Sequence, residues 1–165
     1  MARLNLEDIW QLHTPALKWG MAQLHLPPDT TGLTVLDGQL PGSEVPIRTR
    51  ITEDAARVGD AVGTGWASVL LISPSVQAVF APFNGWRGVP ITATDDRLNG
   101  YVVLAVTGRL GQVSEDPGGL GLFVDPDTWD GSPIFKPENW RGIWMIGGVA
   151  SALRKAKCKG VSVER

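Results

Sequence analysis

The chain has 165 residues, of which 43% are apolar, 19% charged and 7% aromatic, and this composition is typical of a compact globular protein and excludes a disordered or fibrous one. Fifteen basic and 17 acidic residues give a net charge of −2, so no general attraction to nucleic acid or anionic lipid is expected. The longest apolar run, residues 101–106, has six residues, against the roughly 20 that a spanning helix needs, which excludes a transmembrane helix.

The cellular compartment is indicated by two features of the sequence. A single cysteine, Cys158, allows no internal disulfide and no cysteine metal cluster, which favours a reducing compartment. Glu7 and Asp8 lie where a signal peptide has a basic region followed by an apolar stretch. We therefore expect a cytoplasmic protein.

The first 45 residues are predicted to form a less regular segment of a single domain that spans residues 1–165. Apolar residues between Leu4 and Leu26 recur at partly helical intervals, but Pro15 and Gly20 interrupt them. Leu33–Leu36 predicts a short strand, and Asp37-Gly38 predicts a hairpin turn.

An α+β region is predicted for residues 46–165. At its start, Val45–Ile51 alternates apolar and polar residues, which is typical of an exposed strand. Thr52 is then expected to cap a short helix that ends at Gly59.

The clearest pattern is a strand–helix–strand unit. Val69–Ile72 predicts an apolar strand, and Ser73, followed by Pro74, predicts a helix N-cap. Val76–Phe83 has the apolar spacing of a helix. Gly88–Ile91 predicts the second strand of this unit. Tyr101–Val106 follows as a further buried strand because of its length and β-branched residues.

The same pattern returns near the end of the chain, after a short strand at Leu120–Val124. Ile143–Ile146 is the strand, Gly147-Gly148 the turn, Val149–Lys157 the helix and Gly160–Val163 the last strand. The matched lengths predict an α+β fold with two pseudo-repeated strand–helix–strand units on a mixed, largely antiparallel sheet, preceded by an irregular N-terminal segment.

Carboxylates are concentrated between the two units, in a region broken by prolines and glycines. The acidic residues concerned are Glu115, Asp116, Asp125, Asp127 and Asp130. Their spacing lacks the alternation and closing glutamate of a calcium loop. Solvated turns are the main interpretation, because turns favour aspartate for backbone reasons. An acidic partner-binding surface is the alternative, and a paired-carboxylate active site is the least favoured.

Residues for nucleophilic or metal chemistry are scarce. His13 and His25 are the only histidines, and both lie in the N-terminal segment, where structural or surface roles are favoured. Basic neighbours could activate Cys158, but a helix-end position without a cysteine signature favours an unreactive thiol. We expect no catalytic residue, no metal site and no cofactor.

Seven tryptophans are a large number beside one tyrosine and four phenylalanines. Trp144 lies inside an apolar strand and is predicted to be core. Trp86 and Trp129 lie in polar turn contexts, where each either caps the core or contacts a partner.

A resemblance to a known family covers about residues 66–165. Residues 127–138 have the form D-x-W-D-G-S-x-I-F-x-P-E, and an apolar strand, a helix ending in Ala-Leu-Arg-Lys-Ala and a Gly-Val-x-Val strand follow. With the first unit and Tyr101–Val106, this region resembles the eleventh immunity family of bacterial polymorphic toxin systems. The resemblance implies a non-catalytic α+β protein that binds and neutralises a toxin domain encoded beside it, in the cytoplasm.

Two classes of function are therefore carried forward. If the protein is an immunity protein and its toxin is a basic nuclease, the five clustered acids would mimic a phosphate backbone, with Trp129 and Trp86 as anchors. The alternative is a small-ligand-binding module or an enzyme, with a site built from dispersed residues such as the two histidines and the carboxylates. A structural or regulatory subunit of a secretion or phage system is a third hypothesis.

A homodimer through an exposed edge strand is compatible with the sequence, whereas nucleic acid and membrane are not expected as partners.

Overall fold

The structure is a computed structural model that describes residues 4–14, 19–26, 28, 30, 34–35, 47–52, 57–66, 68–115 and 122–165. These residues form a mixed α+β fold. Two α-helices are described over their whole length, α1 (Pro74–Phe80) and α2 (Gly147–Ala156). The strands are β1 (Ile9–His13), β2 (Ala22–His25), β3 (Ile47–Ile51), β4 (Ala61–Gly63), β5 (Leu70–Ile72), β6 (Trp86–Ala93), β7 (Val102–Val106), β8 (Gly108–Leu110), β9 (Val113–Glu115), β10 (Leu122–Val124), β11 (Ile134–Pro137), β12 (Ile143–Ile146) and β13 (Ser162–Glu164). Neither helix has the length and apolarity that crossing a bilayer requires.

The described strands belong to three sheets rather than to one. A six-stranded sheet has the order β2-β3-β6-β7-β5-β4, and a five-stranded sheet has the order β13-β1-β12-β11-β8. Each contains one parallel pair, β3 with β6 and β11 with β8, among antiparallel ones. Strands β9 and β10 form a separate antiparallel pair. The predicted mixed α+β class is confirmed, and the single sheet is corrected to several.

The first strand–helix–strand unit consists of β5, α1 and β6. Its helix begins where the sequence predicts, because the Ser73 side chain accepts a hydrogen bond from the Val76 backbone N–H at 3.4 Å and Pro74 follows the cap. Val76 and Phe80 are fully buried on the inner side of the helix. Strand β7 lies between β5 and β6 and is antiparallel to both.

The second unit consists of β12, α2 and β13, and its helix starts differently from the prediction. Gly147 and Gly148 are the first residues of α2 rather than a turn before it, and Ile146 at the N-cap provides no side-chain hydrogen bond. Asp8 supplies the missing cap, because its Oδ2 accepts from the Gly147 backbone N–H at 3.1 Å. A Cβ atom at position 147 would overlap this carboxylate, so a side chain there would displace the cap.

The N-terminal segment is more regular than predicted. Strand β1 is an internal strand of the five-stranded sheet, between β13 and β12, and β2 is an edge strand of the six-stranded sheet. The local pattern did not identify β1 because its pairing partners, such as Ile143 opposite Leu12, are far away in the sequence. Thr34 and Val35 have helical backbone rather than the predicted strand.

Other predictions for the first 60 residues have mixed outcomes. Strand β3 is confirmed within Val45–Ile51 and shows the expected alternation of buried and exposed residues, but it is flanked on both sides by β2 and β6. The hairpin turn at Asp37-Gly38 and residues 53–56 of the predicted short helix lie outside the described residues.

The two units are joined by hydrogen bonds that converge on Asp60. Its Oδ1 accepts from the Ser73 hydroxyl at 2.8 Å, and its Oδ2 accepts from the Lys159 backbone N–H at 2.6 Å. Beside it, the Tyr101 hydroxyl donates to the Gly59 carbonyl at 2.9 Å. We call Gly59, Asp60, Ser73, Tyr101 and Lys159 the junction. It connects the start of α1 to the turn that follows α2.

Candidate functional site

The five-stranded sheet has two different faces. Directly paired residues of neighbouring strands project from the same face, so the pairings of Gln11 and Phe135 with Trp144 place these three side chains together. Leu12 and Met145 project from the other face, into the main core that contains the buried side of α2. We call the face with Gln11, Phe135 and Trp144 the outer face.

The outer face is partly covered by the β9–β10 hairpin and has its own hydrophobic cluster. Val113 and Val124 of the hairpin are buried there against Phe135 and Trp144. Asn139 holds the hairpin in place, because its Oδ1 accepts from the Val113 N–H and its Nδ2 donates to the Val113 carbonyl, both at 2.7 Å. The hairpin is therefore a fixed wall on this face.

A cleft of about 710 Å³ remains between the hairpin and the chain that leads into β1. Its lining is mainly apolar, with a few polar groups. The lining residues are Leu6, Glu7, Ile9, Gln11, Leu122, Val124, Trp144 and Arg165. Both the volume and the apolar lining with a few polar groups are typical of small-ligand sites and of pockets that receive a partner's side chain.

The floor of the cleft contains a buried donor without a partner. Trp144 is 5% exposed, and within the described part of the chain its Nε1 has no hydrogen-bond acceptor. A Cβ atom at Gly142 would lie 3.0 Å from this Nε1 and 2.9 Å from Gln11 Nε2. A side chain at position 142 would therefore crowd both the indole N–H and the Gln11 amide.

The rim of the cleft carries charges of both signs. Arg165 is exposed, and both its Nε and its terminal nitrogen donate to the Glu7 backbone carbonyl. The Arg165 guanidinium carbon also lies 5.5 Å from the ring centroid of Trp10, which Arg154 approaches to 4.0 Å. These contacts fix the position of the Arg165 cation at the rim.

Two of the acidic residues predicted from the sequence, Asp125 and Asp130, lie in turns that follow the cleft strand β10. Asp125 directly follows the lining residue Val124, and its Oδ1 accepts from the Asp127 N–H at 3.0 Å. Asp130 accepts from the Arg109 N–H at 2.8 Å and from the Ser132 N–H at 2.9 Å. Both carboxylates thus form turns, as the main interpretation predicts, while their charges remain at an exposed surface.

The remaining three acids are described to different extents. Asp127 is exposed on the short 3₁₀ helix Pro126–Thr128. Glu115 ends β9, where it pairs with the cleft residue Leu122. Asp116 lies outside the described residues.

The two tryptophans predicted as anchors are both tied to the core. Trp129 Nε1 donates to the Ser132 carbonyl at 2.9 Å, and its ring lies 6.0 Å from that of Phe135. Trp86 Nε1 donates to the Phe80 carbonyl at 2.9 Å, and the two rings meet edge to face at 5.5 Å. Both are partly exposed, and neither lines the cleft. The contacts of Trp86 and Trp129 are those of side chains that cover the edge of the core. Trp144 is buried, as predicted.

Several exposed apolar side chains near the cleft were not among the site residues predicted from the sequence. Leu6 is 47% exposed, Leu122 43% and Phe123 63%. Leu6 and Leu122 line the cleft, whereas Phe123 projects from the opposite side of β10 because side chains alternate along a strand. An exposed short apolar strand has the same composition as a buried one, so this exposure was not predictable from the sequence.

In the part of the chain that the structure describes, groups suited to catalysis are not brought together. His13 on β1 pairs with Ser162 on β13, but no hydrogen bond joins their side chains, and His25 lies in the other large sheet. Burial raises the pKa of the Cys158 thiol, and the charge of Asp60 adds to the effect, so its basic neighbours do not activate it. Among the described residues, no group of three histidine, cysteine or acidic side chains is arranged to hold a metal ion.

In comparisons with known proteins, no family model matches the chain, and no curated protein matches it. The geometry of the outer face is therefore what bears on function.

Proposed function

We propose that this protein is an immunity protein, which binds a cognate bacterial toxin domain in the cytoplasm and neutralises it by forming a non-covalent complex. The outer face is the binding surface in this proposal. The observation that carries it is the combination of exposed apolar side chains with a fixed acidic turn region on one face. Such a surface inhibits by covering the toxin, and it needs no catalytic group of its own.

The apolar part of the surface supports binding to a protein partner. Leu6 and Leu122 are large side chains at the cleft that remain 47% and 43% exposed, and Phe123, which projects from the other side of β10, is 63% exposed. Clustered exposed apolar residues mark interaction sites in soluble proteins. Because Asn139 bonds to both the N–H and the carbonyl of Val113, strand β9 is already held against the sheet before a partner binds, and holding it costs no further entropy on binding.

The acidic part supports a basic partner. Asp125, Asp127 and Asp130 are all exposed within one short turn region, and Glu115 ends the adjacent strand. Asp125 and Asp130 are held by backbone N–H groups, which keeps their charges in fixed positions. A fixed row of carboxylates attracts a positively charged surface and speeds association with it.

We also propose that the two strand–helix–strand units are structural repeats of each other. In support, β5 and β6 are separated by the antiparallel strand β7, and β12 and β13 are separated in the same way by β1. In addition, α1 and α2 contact each other. The residues with the most specific family resemblance, 127–138, form the acidic turns and β11 of the outer face.

The first test is co-expression with the product of the adjacent gene, scored by cell survival and by co-purification. We expect survival that depends on this protein together with a stable complex. Absence of toxicity and of a complex would contradict the proposal and favour the ligand-binding alternative.

The second test locates the surface. Changing three acids to amides (Glu115→Gln, Asp125→Asn and Asp127→Asn) should leave the fold intact while the dissociation constant rises about tenfold or more and becomes less sensitive to salt. Asp130 stays unchanged, because each of its carboxylate oxygens accepts a backbone N–H and an amide keeps only one acceptor. Asp96→Asn, an exposed acid outside this face, is the charge-matched control for the single variant Asp125→Asn and should leave affinity unchanged. Equal losses in these two single variants would mean that net charge rather than this surface matters.

The third test addresses the apolar part. Phe123→Ser and Leu122→Ser should each weaken toxin binding by about tenfold, the scale of a truncated interface anchor. Trp66→Ser removes another half-exposed aromatic side chain and serves as the control. If Trp66 matters and Phe123 and Leu122 do not, the binding surface lies elsewhere.

A further inference from the structure

We propose that the free edge of strand β10 pairs with an extended segment of the toxin domain, which adds a further strand to the β9–β10 hairpin. This segment has apolar side chains at the alternate positions that face the cleft and a basic residue beside Asp125. The inference rests on the proposed function, because the toxin supplies the strand.

The direction of the backbone groups on β10 follows from the hydrogen bonds of Asn139. Both the N–H and the carbonyl of Val113 bond to the Asn139 side chain at 2.7 Å, so they point away from β10. In an antiparallel pair, directly opposed residues either exchange both hydrogen bonds or direct both groups outward, and the two kinds alternate. Val124 lies opposite Val113, and Leu122 lies two residues before it. The N–H and carbonyl groups of Leu122 and Val124 therefore point away from β9.

This outward edge of β10 is unpaired and is most open at Leu122. Among the described residues, the N–H and carbonyl groups of Leu122 and Val124 take part in no hydrogen bond. Leu122 is 43% exposed, and both residues line the cleft, so a partner strand can approach the edge from there. An extended peptide carries N–H and carbonyl groups at the same spacing, so pairing with it satisfies these groups.

Two other strand edges in this part of the molecule are already occupied. On β9, the outward groups of Val113 bond to Asn139. On β8, the Arg109 N–H donates to the Asp130 carboxylate at 2.8 Å, and the Arg109 carbonyl accepts from the Asp130 N–H at 3.1 Å. Proteins commonly cover or charge the edges of their sheets, which prevents unwanted pairing. Residues 122–124 are all apolar and lack this protection, which is typical of an edge that receives a partner.

The cleft suits the side chains of an added strand. Such a strand lies about 4.8 Å from β10, on the side where the cleft separates β10 from the chain that leads into β1. Its side chains alternate between two directions. Half of them project towards the five-stranded sheet, where Ile9 and the Trp144 ring provide apolar walls. The others lie beside Phe123, which is 63% exposed, and covering it removes apolar area from water.

The charges at the end of β10 favour a basic segment over a second copy of this chain. Asp125 directly follows β10, Asp127 lies two residues further, and both are exposed. A segment with lysine or arginine at the corresponding position gains a favourable charge contact. Pairing with β10 of a second copy would instead bring the acids of both chains to one interface, which is unfavourable. The toxin is therefore the expected occupant.

The test begins with the complex formed by the full chain and the product of the adjacent gene. For NMR, this chain is isotopically labelled and deuterated, and its partner is left unlabelled. We expect nuclear Overhauser effects from the amide protons of Leu122 and Val124 to backbone protons of the toxin. The Phe123 amide points towards Ser114 on β9, so it should show none. This alternation distinguishes strand pairing from simple covering of the surface.

Leu122→Pro tests the same pairing by affinity. It removes an N–H that points away from β9, so the hairpin keeps its own hydrogen bonds. Leu122→Ala, which shortens the side chain and keeps the N–H, is the matched control. We expect Leu122→Pro to bind the toxin about tenfold more weakly than Leu122→Ala, the loss expected for one hydrogen bond. The Val113 amide signal, which reports the bond to Asn139, should be the same in both variants and shows that the hairpin is intact.

Failure of this inference and failure of the proposed function give different results. A stable complex without contacts from the Leu122 and Val124 amides overturns the inference and leaves the immunity function in place. Equal toxin affinity of Leu122→Pro and Leu122→Ala, with the Val113 signal unchanged, overturns it in the same way. If Leu122→Pro disturbs that signal, the amide contacts of the original protein decide.

Two further results concern the identity of the occupant. Contacts from these amides to a second copy, in a toxin-free mixture of labelled and unlabelled chains, overturn the inference because the edge then serves a homodimer. Absence of both toxicity and a complex contradicts the proposed function, and the toxin strand is rejected with it.

Discussion

The two helices of this protein occupy equivalent places between strands, but their first turns are stabilised in different ways. Helix α1 is capped by Ser73, the residue that directly precedes it. Helix α2 has no cap in its own sequence, and its first N–H is bound by Asp8, which lies 139 positions earlier in the chain. Local sequence therefore determines where α1 begins, whereas the tertiary structure determines where α2 begins.

This difference has a consequence for stability. The Ser73 cap requires only that its own helix forms, so it can exist before the rest of the fold. The Asp8 cap requires that β1 is already placed beside β12, because Asp8 directly precedes β1. Loss of the Asp8 contact should therefore affect a wider part of the molecule than loss of the Ser73 contact.

The largest effect is expected where both units are tied together, at Asp60. Asp60→Ala removes the acceptors of Ser73 and Lys159 and should lower the free energy of unfolding by about 3 kcal/mol, because two hydrogen bonds to a charged group are lost. Urea denaturation measures this loss. Asp60→Asn retains one acceptor and should cost less. Equal stability of all three proteins would show that the junction does not hold the units together.

The two caps should differ in reach. Asp8→Ala should cost about 1 kcal/mol, the usual value of an N-cap, and Ser73→Ala should cost somewhat more, because the Ser73 hydroxyl also donates to Asp60. In hydrogen exchange, Ser73→Ala should reduce protection in the first turn of α1 and around Asp60. Asp8→Ala should reduce protection both in the first turn of α2 and in Leu6–Ile9, since it links the two. Identical, purely local effects would contradict this comparison.

A smaller effect separates the two glycines that open α2. Gly147→Ala should destabilise the protein by about 0.5 to 1 kcal/mol, because the new Cβ overlaps the Asp8 carboxylate and displaces the cap. Gly148→Ala meets nothing within 4 Å and should stabilise it by about 0.5 kcal/mol through helix propensity. Thermal denaturation of both variants measures the difference. If both variants stabilise the protein, the Asp8 contact is not needed.

The smallest effect concerns pH and the Tyr101 hydroxyl of the junction. Burial raises the pKa of Tyr101 above 10.0, with a further contribution from the charge of Asp60. The folded state therefore keeps its proton where the unfolded state has lost it, so this contribution is fully present below pH 10 and is lost as the pH rises through the folded-state pKa. Stability should fall less steeply above pH 10 in Tyr101→Phe. Parallel pH profiles would contradict the shift.

Particular elements show how far prediction from the sequence extends. Strand β5, strand β7 and the start of helix α1 lie where the sequence places them, because each carries its own signal: an apolar run, a β-branched run and a Ser-Pro start. Helix α1 ends at Phe80 rather than at the predicted Phe83. Strand β1 carries no such signal, because its register depends on strands more than 120 residues later. The site shows the same division. The turns made by Asp125 and Asp130 follow from residue type, whereas the cleft needs Gln11, Trp144 and Leu122 from three distant segments.

The sequence by itself determined the α+β class, most strands of both units, the first helix with its Ser73 cap and the burial of Trp144. These follow from interactions between residues that are close along the chain or from the periodicity of apolar side chains. Only the tertiary structure decided that there are several sheets, that Asp8 caps α2, that Asp60 joins the two units and that a cleft lies on the outer face. Each of these depends on groups that are distant in sequence, and no local pattern encodes the contact between them.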